Sequence, residues 1–363
     1  MTTVSLADVA TSAAAAIGVA PFTDVLGIGS TRHVVVCLID GLGANLLERH
    51  APWAPRLAGM AGPPINAVFP TTTPVGLGSF GTGLLPGSHG MVGASFMLPE
   101  VDGVLTPLQW GSEPNPVAVQ PERTVFETVA RAGVTMTTVS HAAYRESGLT
   151  RAVLRGADYR GVDGIDDRVA EVAAILATSP RSFTYVYWSE LDRTGHEFGV
   201  DSRQWRTALS RADVLVGGLI DALPVGAALV VTADHGMVDC APADRIQIEA
   251  NPLLMAGIIR VAGEPRARHI YVRDGAAADV AAAWSSELDG YARVLQREEL
   301  IDRGLFGPVD AALIDRIGDV MAICGGSGML GSRVDTLVSG LIGQHGALTD
   351  DELLIPGLVH RRD

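Results

Sequence analysis

Short apolar runs alternate with amphipathic segments over the first two thirds of the chain. The run HVVVCLID, residues 33–40, is continuously apolar and has the length of a strand buried on both faces of a parallel sheet. Further strand patterns occupy residues 64–69, 134–140, 182–188 and 227–234. Helical patterns occupy residues 43–50, 124–133, 166–179 and 201–223. This alternation predicts an α/β fold, a central mostly parallel sheet with helices on both faces.

The alternation of strand and helix patterns becomes less regular between residues 240 and 331. Strand-like pieces at residues 268–273 and 290–300 surround a helical pattern at residues 276–288. We interpret this region as an inserted subdomain near the active site, although the length of the chain also permits two separate domains. The predicted division is therefore a catalytic α/β domain, residues 1–239 and 332–363, and an inserted subdomain, residues 240–331. A loop, a helix and a strand are expected within residues 339–359.

The N-terminal segment, residues 1–21, is rich in alanine but has no basic stretch and carries Asp8. It is expected to be a helix that packs on the domain, with a frayed tail as the alternative, and not a signal peptide. Cys37, Cys240 and Cys324 are far apart, which suggests neither a disulfide framework nor a cysteine zinc site. We expect a cytoplasmic protein on this ground.

The charge of the chain excludes several classes of function. The net charge is −14 at pH 7, which argues against binding to a nucleic-acid backbone. All 27 basic residues are arginine, so a P-loop and lysine-based chemistry are excluded. No run of 18 apolar residues occurs, and we expect no membrane span.

Acidic and histidine side chains follow three of the predicted strands, and one more histidine lies in the motif GQHG. These six residues are Asp40, Asp192, His196, Asp234, His235 and His345. Taken singly, each aspartate is a common turn former or helix cap, and each histidine a common structural residue. The carboxyl ends of parallel strands share one edge of a sheet, so these side chains are expected to converge. Three carboxylates and three imidazoles suffice for two divalent cations with open positions, typical of catalytic zinc, and manganese accepts the same ligands.

The stretch VFPTTTPVGLGSFGTGLLPGSHG, residues 68–90, places three threonines between a strand pattern and a glycine-rich segment. One interpretation is a sharp turn. The other is a nucleophilic hydroxyl at a helix start, where free N–H groups favour an anion. A threonine hydroxyl needs a base or a metal to become an alkoxide, and the expected cations would provide that activation. A nucleophilic hydroxyl at a helix start, next to two divalent cations, suits phosphoryl transfer.

In their order along the chain, LIDGLG, FPTTTPVGLGSFGTGLLPGSHG, LDRTGHEFG, VTADHGM and GQHG resemble the alkaline phosphatase superfamily. More narrowly, they resemble its nucleotide pyrophosphatase/phosphodiesterase family, in which TGLLPGSHG is similar to TGL-x-P-x-x-HG without a gap. The resemblance implies an alkaline phosphatase-like three-layer sandwich with a small inserted subdomain. It also implies a two-metal hydrolase that cleaves phosphodiester or pyrophosphate bonds of small-molecule esters, among them nucleotides, through a phospho-threonine intermediate.

The same resemblance implies roles for single residues. Family members carry Phe/Tyr-Pro-Thr-x-Thr with the last threonine as the nucleophile, which is Thr73 here, with Thr72 in an alternative register. One zinc would be held by Asp40, Asp234 and His235 together with Thr73. The other would be held by Asp192, His196 and His345. His89 would have a structural role.

This sequence also departs from the family. An asparagine that helps to hold a phosphate oxygen is replaced by Ala94, with Ser95 or the backbone as substitutes, and the proline before Asp192 is missing. Phe96 and Met97 are candidates for an apolar wall beside the ester. In the motif RARHIYVR we expect Arg266, Arg268 and His269 to form a solvated basic edge, with substrate contacts as the alternative.

Other functions agree less well with the sequence. A phosphomonoesterase or phosphonate hydrolase of the same superfamily is the nearest alternative. A sulfatase is disfavoured because Val75, and not arginine, follows Thr73 and Pro74. A non-catalytic metal-binding or carbohydrate-binding module would not need Thr73 beside the six ligands. A dinucleotide-binding protein is disfavoured because DGLGAN lacks the third glycine of GxGxxG.

Overall fold

The computed structural model describes residues 4–335 and 340–362. The described residues contain eighteen strands: β1 (His33–Ile39), β2 (Pro64–Asn66), β3 (Phe96–Leu98), β4 (Gly103–Leu105), β5 (Thr135–Ser140), β6 (Asp158–Gly161), β7 (Ser182–Trp188), β8 (Ala228–Thr232), β9 (Val238–Asp239), β10 (Arg245–Gln247), β11 (Ile258–Glu264), β12 (Ala267–Val272), β13 (Ala292–Gln296), β14 (Val320–Cys324), β15 (Met329–Gly331), β16 (Gly343–Gln344), β17 (Leu354–Pro356) and β18 (Leu358–Arg361).

The same residues contain fifteen α-helices. They are α1 (Ala7–Ala16), α2 (Ala44–Arg49), α3 (Pro55–Ala58), α4 (Thr73–Thr82), α5 (Pro86–His89), α6 (Pro116–Val119), α7 (Val125–Arg131), α8 (Gly148–Val153), α9 (Ile165–Thr178), α10 (Glu190–Phe198), α11 (Arg203–Ala222), α12 (Pro252–Met255), α13 (Ala277–Glu287), α14 (Arg297–Asp302) and α15 (Asp350–Leu353).

A six-stranded sheet in the order β18-β8-β1-β7-β5-β6 forms the centre of the fold. Strands β8, β1, β7, β5 and β6 are parallel, and β18 pairs antiparallel with β8 at one edge. Every residue of β1, β7 and β8 is buried, as their continuous apolar sequences require in a parallel sheet. The predicted α/β fold with a mostly parallel sheet is therefore confirmed.

Two expected elements differ from the structure. The strand pattern at residues 64–69 forms a strand only over Pro64–Asn66, which pairs antiparallel with β17. Prolines at both ends of PINAVFP lack the N–H that a central strand must donate, so this segment stays outside the main sheet. The pattern at residues 290–300 ends as a strand at Gln296, where a capping box with Glu299 starts α14.

The N-terminal helix packs on the domain, as predicted. Helix α1 buries Val9, Ala10, Ala13 and Ala14 and contacts α4, α7 and β1. Small alanine side chains allow this close approach without cavities.

A second, antiparallel sheet in the order β11-β12-β14-β13 lies within residues 258–324. Helix α13 packs on it through Val280 and Trp284, and the resulting core cluster is separate from the main one. The division of the chain after residues 239 and 331 stays a prediction. The second sheet matters for the site because its strand β12 carries buried charges against the main domain.

Arg266 and Arg268 are fully buried, so the expected solvated basic edge is wrong. Arg266 Nε and Nη2 donate to Glu352 Oε1 and Oε2 at 2.8 and 2.9 Å, and Arg268 Nη1 donates to Asp335 Oδ1 at 2.9 Å. His269 is also buried, and its ring lies 2.9 Å from the Val92 carbonyl and accepts from the Gly318 N–H. The expectation failed because β12, which contains Arg268 and directly follows Arg266, is buried along its whole length, and carboxylates of the chain itself neutralise both guanidinium groups.

The Arg266–Glu352 pair holds the loop that follows His345. Glu352 accepts from the Ala347 N–H at 2.9 Å and from the Thr349 hydroxyl at 2.6 Å, besides its two bonds from Arg266. Each carboxylate oxygen of Glu352 thus accepts two hydrogen bonds, and neither is buried without donors. The second sheet therefore fixes the loop over residues 345–352 through one buried ion pair.

Glu264, at the end of β11, is a third buried ionisable side chain at this junction. Its Oε2 accepts from the Ala94 N–H at 2.8 Å, whereas Oε1 has no hydrogen-bond partner within the described residues. Burial raises the pKa of Glu264 to about 8, opposed by the Ala94 N–H and the Arg268 charge and assisted by Glu352 and Asp335. The side chain is consequently a neutral acid near pH 7.

Replacing Arg266 by alanine should strongly destabilise the protein. Glu352 would keep its burial and lose its guanidinium partner, which typically costs about 3–5 kcal/mol of unfolding free energy. As the control, Arg49→Ala removes the exposed pair with Asp351, the neighbour of Glu352, at a cost of about 0–1 kcal/mol. Chemical denaturation measures both values, and equally small losses would contradict the role of the buried pair.

The stability of the protein should depend on pH through Glu264. Folding raises the pKa of this acid from 4.5 to about 8, so the folded state binds a proton that the unfolded state releases. The stabilisation is complete below pH 4.5 and is lost as the pH rises towards 8. Glutamine imitates the neutral acid without titrating.

The unfolding free energy of the Glu264→Gln variant, minus that of the wild type, should therefore grow between pH 4.5 and about 8 and level off above. Denaturant titrations across this range measure the difference. A difference that does not change with pH would show that Glu264 is already ionised in the folded protein.

Candidate active site

Three neighbouring parallel strands, β8, β1 and β7, end at one edge of the central sheet. Asp40 follows β1, Asp234 lies two residues beyond β8, and α10 begins two residues after β7. Asp192 and His196 are four residues apart in α10 and therefore share a helix face. Gly41, with φ +75°, turns the chain after Asp40 where a Cβ would lie 3.0 Å from the Asp192 Cα. The strand ends thus converge as the sequence predicts.

The six predicted ligands form two groups of three. In each group, one donor atom from every residue lies within 4.8 Å of the others. We name Asp40, Asp234 and His235 the inner group, and Asp192, His196 and His345 the outer group. This is the same division that the resemblance implies.

Thr73 lies beside the inner group. His235 Nε2 is 3.3 Å from Thr73 Oγ1, 3.4 Å from Asp40 Oδ1 and 3.7 Å from Asp234 Oδ2. Neither of these two carboxylate oxygens has a hydrogen-bond partner in the described part of the chain, although both are buried. Buried acceptors without donors are costly, so this geometry points to a cation.

The outer group also contains a buried carboxylate oxygen without a hydrogen-bond donor. His196 Nε2 lies 3.4 Å from Asp192 Oδ2 and 3.2 Å from His345 Nε2, and His345 Nε2 lies 3.8 Å from Asp192 Oδ1. Asp192 Oδ1 is buried without a partner among residues 4–335 and 340–362.

The backbone determines which ring nitrogens face the site. Nδ1 of His196, His235 and His345 lies 2.7, 3.0 and 2.8 Å from the carbonyl oxygens of Gly343, Gly236 and Thr71, respectively. Because a carbonyl only accepts, each Nδ1 carries the proton and each Nε2 presents a lone pair. The facing lone pairs of His196 and His345 repel each other unless a cation lies between them.

The electrostatics of the cluster agree with this conclusion. Burial raises the pKa of Asp40 well above its usual range, with the charges of Asp234 and Asp192 adding to the effect, while the Tyr187 hydroxyl opposes it by donating to Asp40 Oδ2. Burial, followed by the neighbouring His235 and His196, lowers the pKa of His345 well below its usual range. Divalent cations would offset the effect on Asp40 and would bind the neutral form of His345, and imidazole plus carboxylate is a donor set suited to zinc. The residues present therefore fit two metal ions.

Each of the three consecutive threonines has a different position. Thr71 braces the outer group: its hydroxyl donates to the Ala347 carbonyl at 2.8 Å and accepts from the Gly346 N–H at 3.0 Å. Thr72 is the extended residue before α4, and Thr73 is the first residue of that helix. Helix α4 can lie against the inner group because residue 76 is glycine; a Cβ there would be 2.7 Å from the Asp234 Cβ.

The helix start offers fewer N–H groups than the glycine-rich sequence suggests. Pro74 has no N–H, and the N–H groups of Val75 and Gly76 both donate to the Thr72 carbonyl. Among the first four residues of α4, Thr73 alone keeps an N–H outside these bonds.

His89, for which a structural role is implied, lies in the core. Its Nε2 is 2.9 Å from Ser79 Oγ, and burial lowers its pKa to about 3, so the ring is neutral. Ala94 and Ser95, considered as substitutes for a phosphate-binding asparagine, are occupied elsewhere. The Ala94 N–H donates to Glu264, and the Ser95 hydroxyl donates to the Gly263 carbonyl at 3.1 Å. The expected substitution is therefore wrong for these two groups.

A cavity of about 570 Å³ opens beside Thr73, Asp40, Asp192 and His196. Its apolar and aromatic lining comes from Leu77, Pro107, Leu108, Tyr144, Leu149, Leu154, Tyr159, Tyr185, Tyr187 and Leu341. The expectation that Phe96 and Met97 form an apolar wall beside the ester is wrong, since Phe96 is fully buried in β3 and neither residue lines the cavity. Within the described residues, Arg193 is the one arginine along this cavity.

Sequence reasoning missed the tyrosines. Tyr185 and Tyr187 alternate in SFTYVYW and hence share one face of β7. This period-two spacing, next to the strand end that precedes Asp192, was the signal in the sequence that could have predicted tyrosines at the site. Tyr187 supplies the hydrogen bond to Asp40, and both residues line the cavity.

None of the helices in the described parts of the chain combines the length and the apolar character needed to cross a bilayer.

Comparisons with known proteins agree with the site. The most similar solved structures include murine ectonucleotide pyrophosphatase/phosphodiesterase 5, with a TM-score of 0.73 and 21% identity over 91% of this chain and 89% of that one. An inactive variant of the murine protein has been determined in complex with AMP. Phosphonoacetate hydrolase from Sinorhizobium meliloti 1021 has a TM-score of 0.71 and 20% identity over 91% of this chain and 90% of that one. These matches show an alkaline phosphatase-like fold.

Curated relatives match over shorter stretches. Venom phosphodiesterase from Crotalus durissus collilineatus is 27% identical over 243 residues, 60% of this chain and 28% of the relative. The bis(5'-adenosyl)-triphosphatase of Mus musculus is 28% identical over 101 residues, 26% of this chain and 22% of the relative. The matched part thus spans about a quarter of the length of these relatives.

The family assignment rests on a match that covers most of the chain. Residues 34–346 fit the family model described as type I phosphodiesterase / nucleotide pyrophosphatase, and this range contains Thr73 and all six candidate ligands. The chain therefore belongs to the type I phosphodiesterase / nucleotide pyrophosphatase family, a family of hydrolytic enzymes.

Proposed function

We propose that this protein hydrolyses phosphodiester or pyrophosphate bonds of small molecules, with Thr73 as the nucleophile and two divalent cations as cofactors. The observation that carries the proposal is the convergence of six ligand residues next to Thr73 Oγ1, with one buried oxygen of each aspartate lacking a hydrogen-bond partner among the described residues.

The cations are assigned by group. The inner group, with Thr73, would hold one ion, and the outer group would hold the other. Zinc is favoured by the mixture of imidazole and carboxylate donors, and manganese accepts the same donors. When bound, the two ions supply positive charge that favours the Thr73 alkoxide and offsets the charge on the phosphate oxygens.

The reaction then proceeds in two displacements at phosphorus. In the first, a bond forms between Thr73 Oγ1 and phosphorus while the bond to the leaving oxygen breaks, which leaves phospho-threonine. The proton that the Thr73 hydroxyl loses balances the charge of the leaving oxygen, and the first product is released. In the second, the oxygen of a water molecule bonds to phosphorus and the bond to Thr73 Oγ1 breaks. The water supplies the proton that restores the threonine hydroxyl.

The protein contributes by positioning. Helix α4 places Thr73 within 3.3 Å of His235 Nε2, and the Tyr187 hydroxyl fixes Asp40 by donating to its Oδ2. Thr71 holds the His345 ring through its carbonyl. Such alignment before reaction lowers the entropic part of the barrier.

Charge favours a diester over a monoester. A monoester is a dianion near neutral pH, and arginine is the usual partner for its additional charge. Arg266 and Arg268 are each paired with a buried carboxylate, and Arg145 donates to the Tyr159 carbonyl on the surface. A diester carries one negative charge, and the cavity beside Thr73 can receive its second ester group.

Thr73→Ala should abolish turnover while two metal ions stay bound, since the three ligands of each group remain. Loss of a nucleophile commonly costs several orders of magnitude in kcat. Thr72→Ala is the matched control, because no hydrogen bond of the Thr72 side chain caps α4, and it should keep most of the activity. Steady-state kinetics and elemental analysis test both variants. An inactive Thr72→Ala beside an active Thr73→Ala would assign the nucleophile to Thr72.

Diesters should be cleaved with a higher kcat/KM than matched monoesters. The comparison uses para-nitrophenyl phosphate and its ethyl ester, which share one leaving group. Arg193→Gln tests the arginine on the cavity and should leave the preference unchanged. A clear monoester preference that this substitution removes would instead indicate a phosphomonoesterase that uses Arg193.

A further inference from the structure

Two hydroxyl-bearing residues line the cavity beside Thr73 from within the sheet, Thr138 two residues before the end of β5 and Tyr185 three residues before the end of β7. We name this pair the floor of the cavity. They are direct register partners in the neighbouring parallel strands β5 and β7, so their side chains project side by side from the same face of the sheet. Both line the cavity, with 1% and 0% of their surface exposed. Leu108 and Tyr144, which belong to the same lining, are by contrast exposed.

Neither Thr138 Oγ1 nor Tyr185 Oη has a hydrogen-bond partner among the described residues. Other hydroxyls of the cavity are satisfied: Tyr159 Oη donates to the His141 carbonyl at 2.7 Å, and Tyr144 Oη lies 3.2 Å from Ser189 Oγ. A buried hydroxyl without a partner is destabilising, and two adjacent ones on a cavity floor indicate a polar atom of a ligand. Burial and the nearby Asp234 and Asp40 charges raise the pKa of Tyr185, so its hydroxyl keeps its proton and can donate.

The remainder of the lining limits the chemistry of that ligand. The apolar part of the lining includes Leu77, Leu149, Leu154 and the Tyr159 ring. Apart from the metal-site residues, the charged groups of the lining are Arg193 and Glu197, both exposed on α10. A charged group at the floor would be buried without a counter-charge, which is strongly unfavourable.

We propose that this cavity binds the uncharged ester group of the substrate and that Thr138 and Tyr185 select a hydrogen-bonding atom of that group. The inference rests on the proposed function and narrows its substrate class. The preferred substrate is a phosphodiester with one organic group that is apolar or aromatic along its length and ends in a hydroxyl, carbonyl or amide. Thr138 and Tyr185 are specificity-determining residues and take no part in the displacements at Thr73.

A third hydroxyl provides the matched control. Thr184 Oγ1 is also buried without a partner in the described chain, on the same strand as Tyr185. Because neighbouring residues of a strand point to opposite faces, Thr184 projects away from the cavity, and it is absent from the lining. A Thr184→Val variant therefore removes a comparable buried hydroxyl without changing the cavity.

The experiment compares two para-nitrophenyl diesters, in which the second ester group is either phenylethyl or para-hydroxyphenylethyl. The wild-type, metal-loaded enzyme should favour the hydroxyl-bearing ester by about tenfold in kcat/KM, the size expected for one hydrogen bond to a buried group. Tyr185→Phe and Thr138→Val should each bring this ratio close to one. Thr184→Val should keep it.

A binding measurement separates this inference from the proposed function. Calorimetry with phenylethyl phosphate and para-hydroxyphenylethyl phosphate, the retained products, should give the same tenfold ratio in Kd and the same pattern among the variants. If neither diester is hydrolysed but the binding ratio follows the variants, the proposed function is wrong and the cavity assignment stands. The cavity assignment is overturned if the wild type shows no preference, if the preference survives both Tyr185→Phe and Thr138→Val, or if Thr184→Val removes it equally.

Discussion

The structure depends on one electrostatic constraint: three carboxylates and three imidazole lone pairs meet at one sheet edge with almost no donors between them. The backbone enforces this arrangement, since carbonyl oxygens hold the Nδ1 protons of His196, His235 and His345 and turn each Nε2 inward. Without cations the cluster concentrates negative charge and opposing lone pairs. The site therefore fits two positive ions, and Thr73, the proposed nucleophile, lies beside the inner group.

Much of the remaining fold keeps this unfavourable cluster in place. Strands β8, β1 and β7 supply the edge, while the loop that carries His345 comes from the far C-terminal part of the chain. Thr71 ties that loop to the nucleophile segment, and the buried pair of Arg266 and Glu352 ties it to the second sheet. The part of the chain around the second sheet thus contributes to the site by holding the His345 loop, since Arg266 and Arg268 pair with carboxylates inside the protein.

The sequence predicted the parts of the site that obey short-range rules. Asp40 and Asp234 follow apolar strands, and Asp192 and His196 have helical spacing, so their convergence follows from strand direction alone. The burial of Arg266 and Arg268 could not be predicted in this way, because their partners Glu352 and Asp335 are 86 and 67 residues away in sequence.

The cavity illustrates the same limit. Phe96 was expected to form an apolar wall beside the ester because it follows the segment that carries Thr73. The tertiary fold instead buries Phe96 in β3 and brings Tyr144, Tyr159 and Tyr185 to the cavity. Likewise, the glycine-rich start of α4 suggested several free N–H groups. The bonds of Val75 and Gly76 to Thr72 show that local hydrogen bonding had already used them.

The central claim is that Thr73 becomes covalently phosphorylated during turnover. Each in-line displacement inverts the configuration at phosphorus, so two successive displacements restore it. The most direct test is hydrolysis of a diester that is chiral at phosphorus, in isotopically labelled water, followed by analysis of the product configuration. The account predicts net retention. Net inversion would show that water attacks the substrate directly and that Thr73 never carries the phosphoryl group.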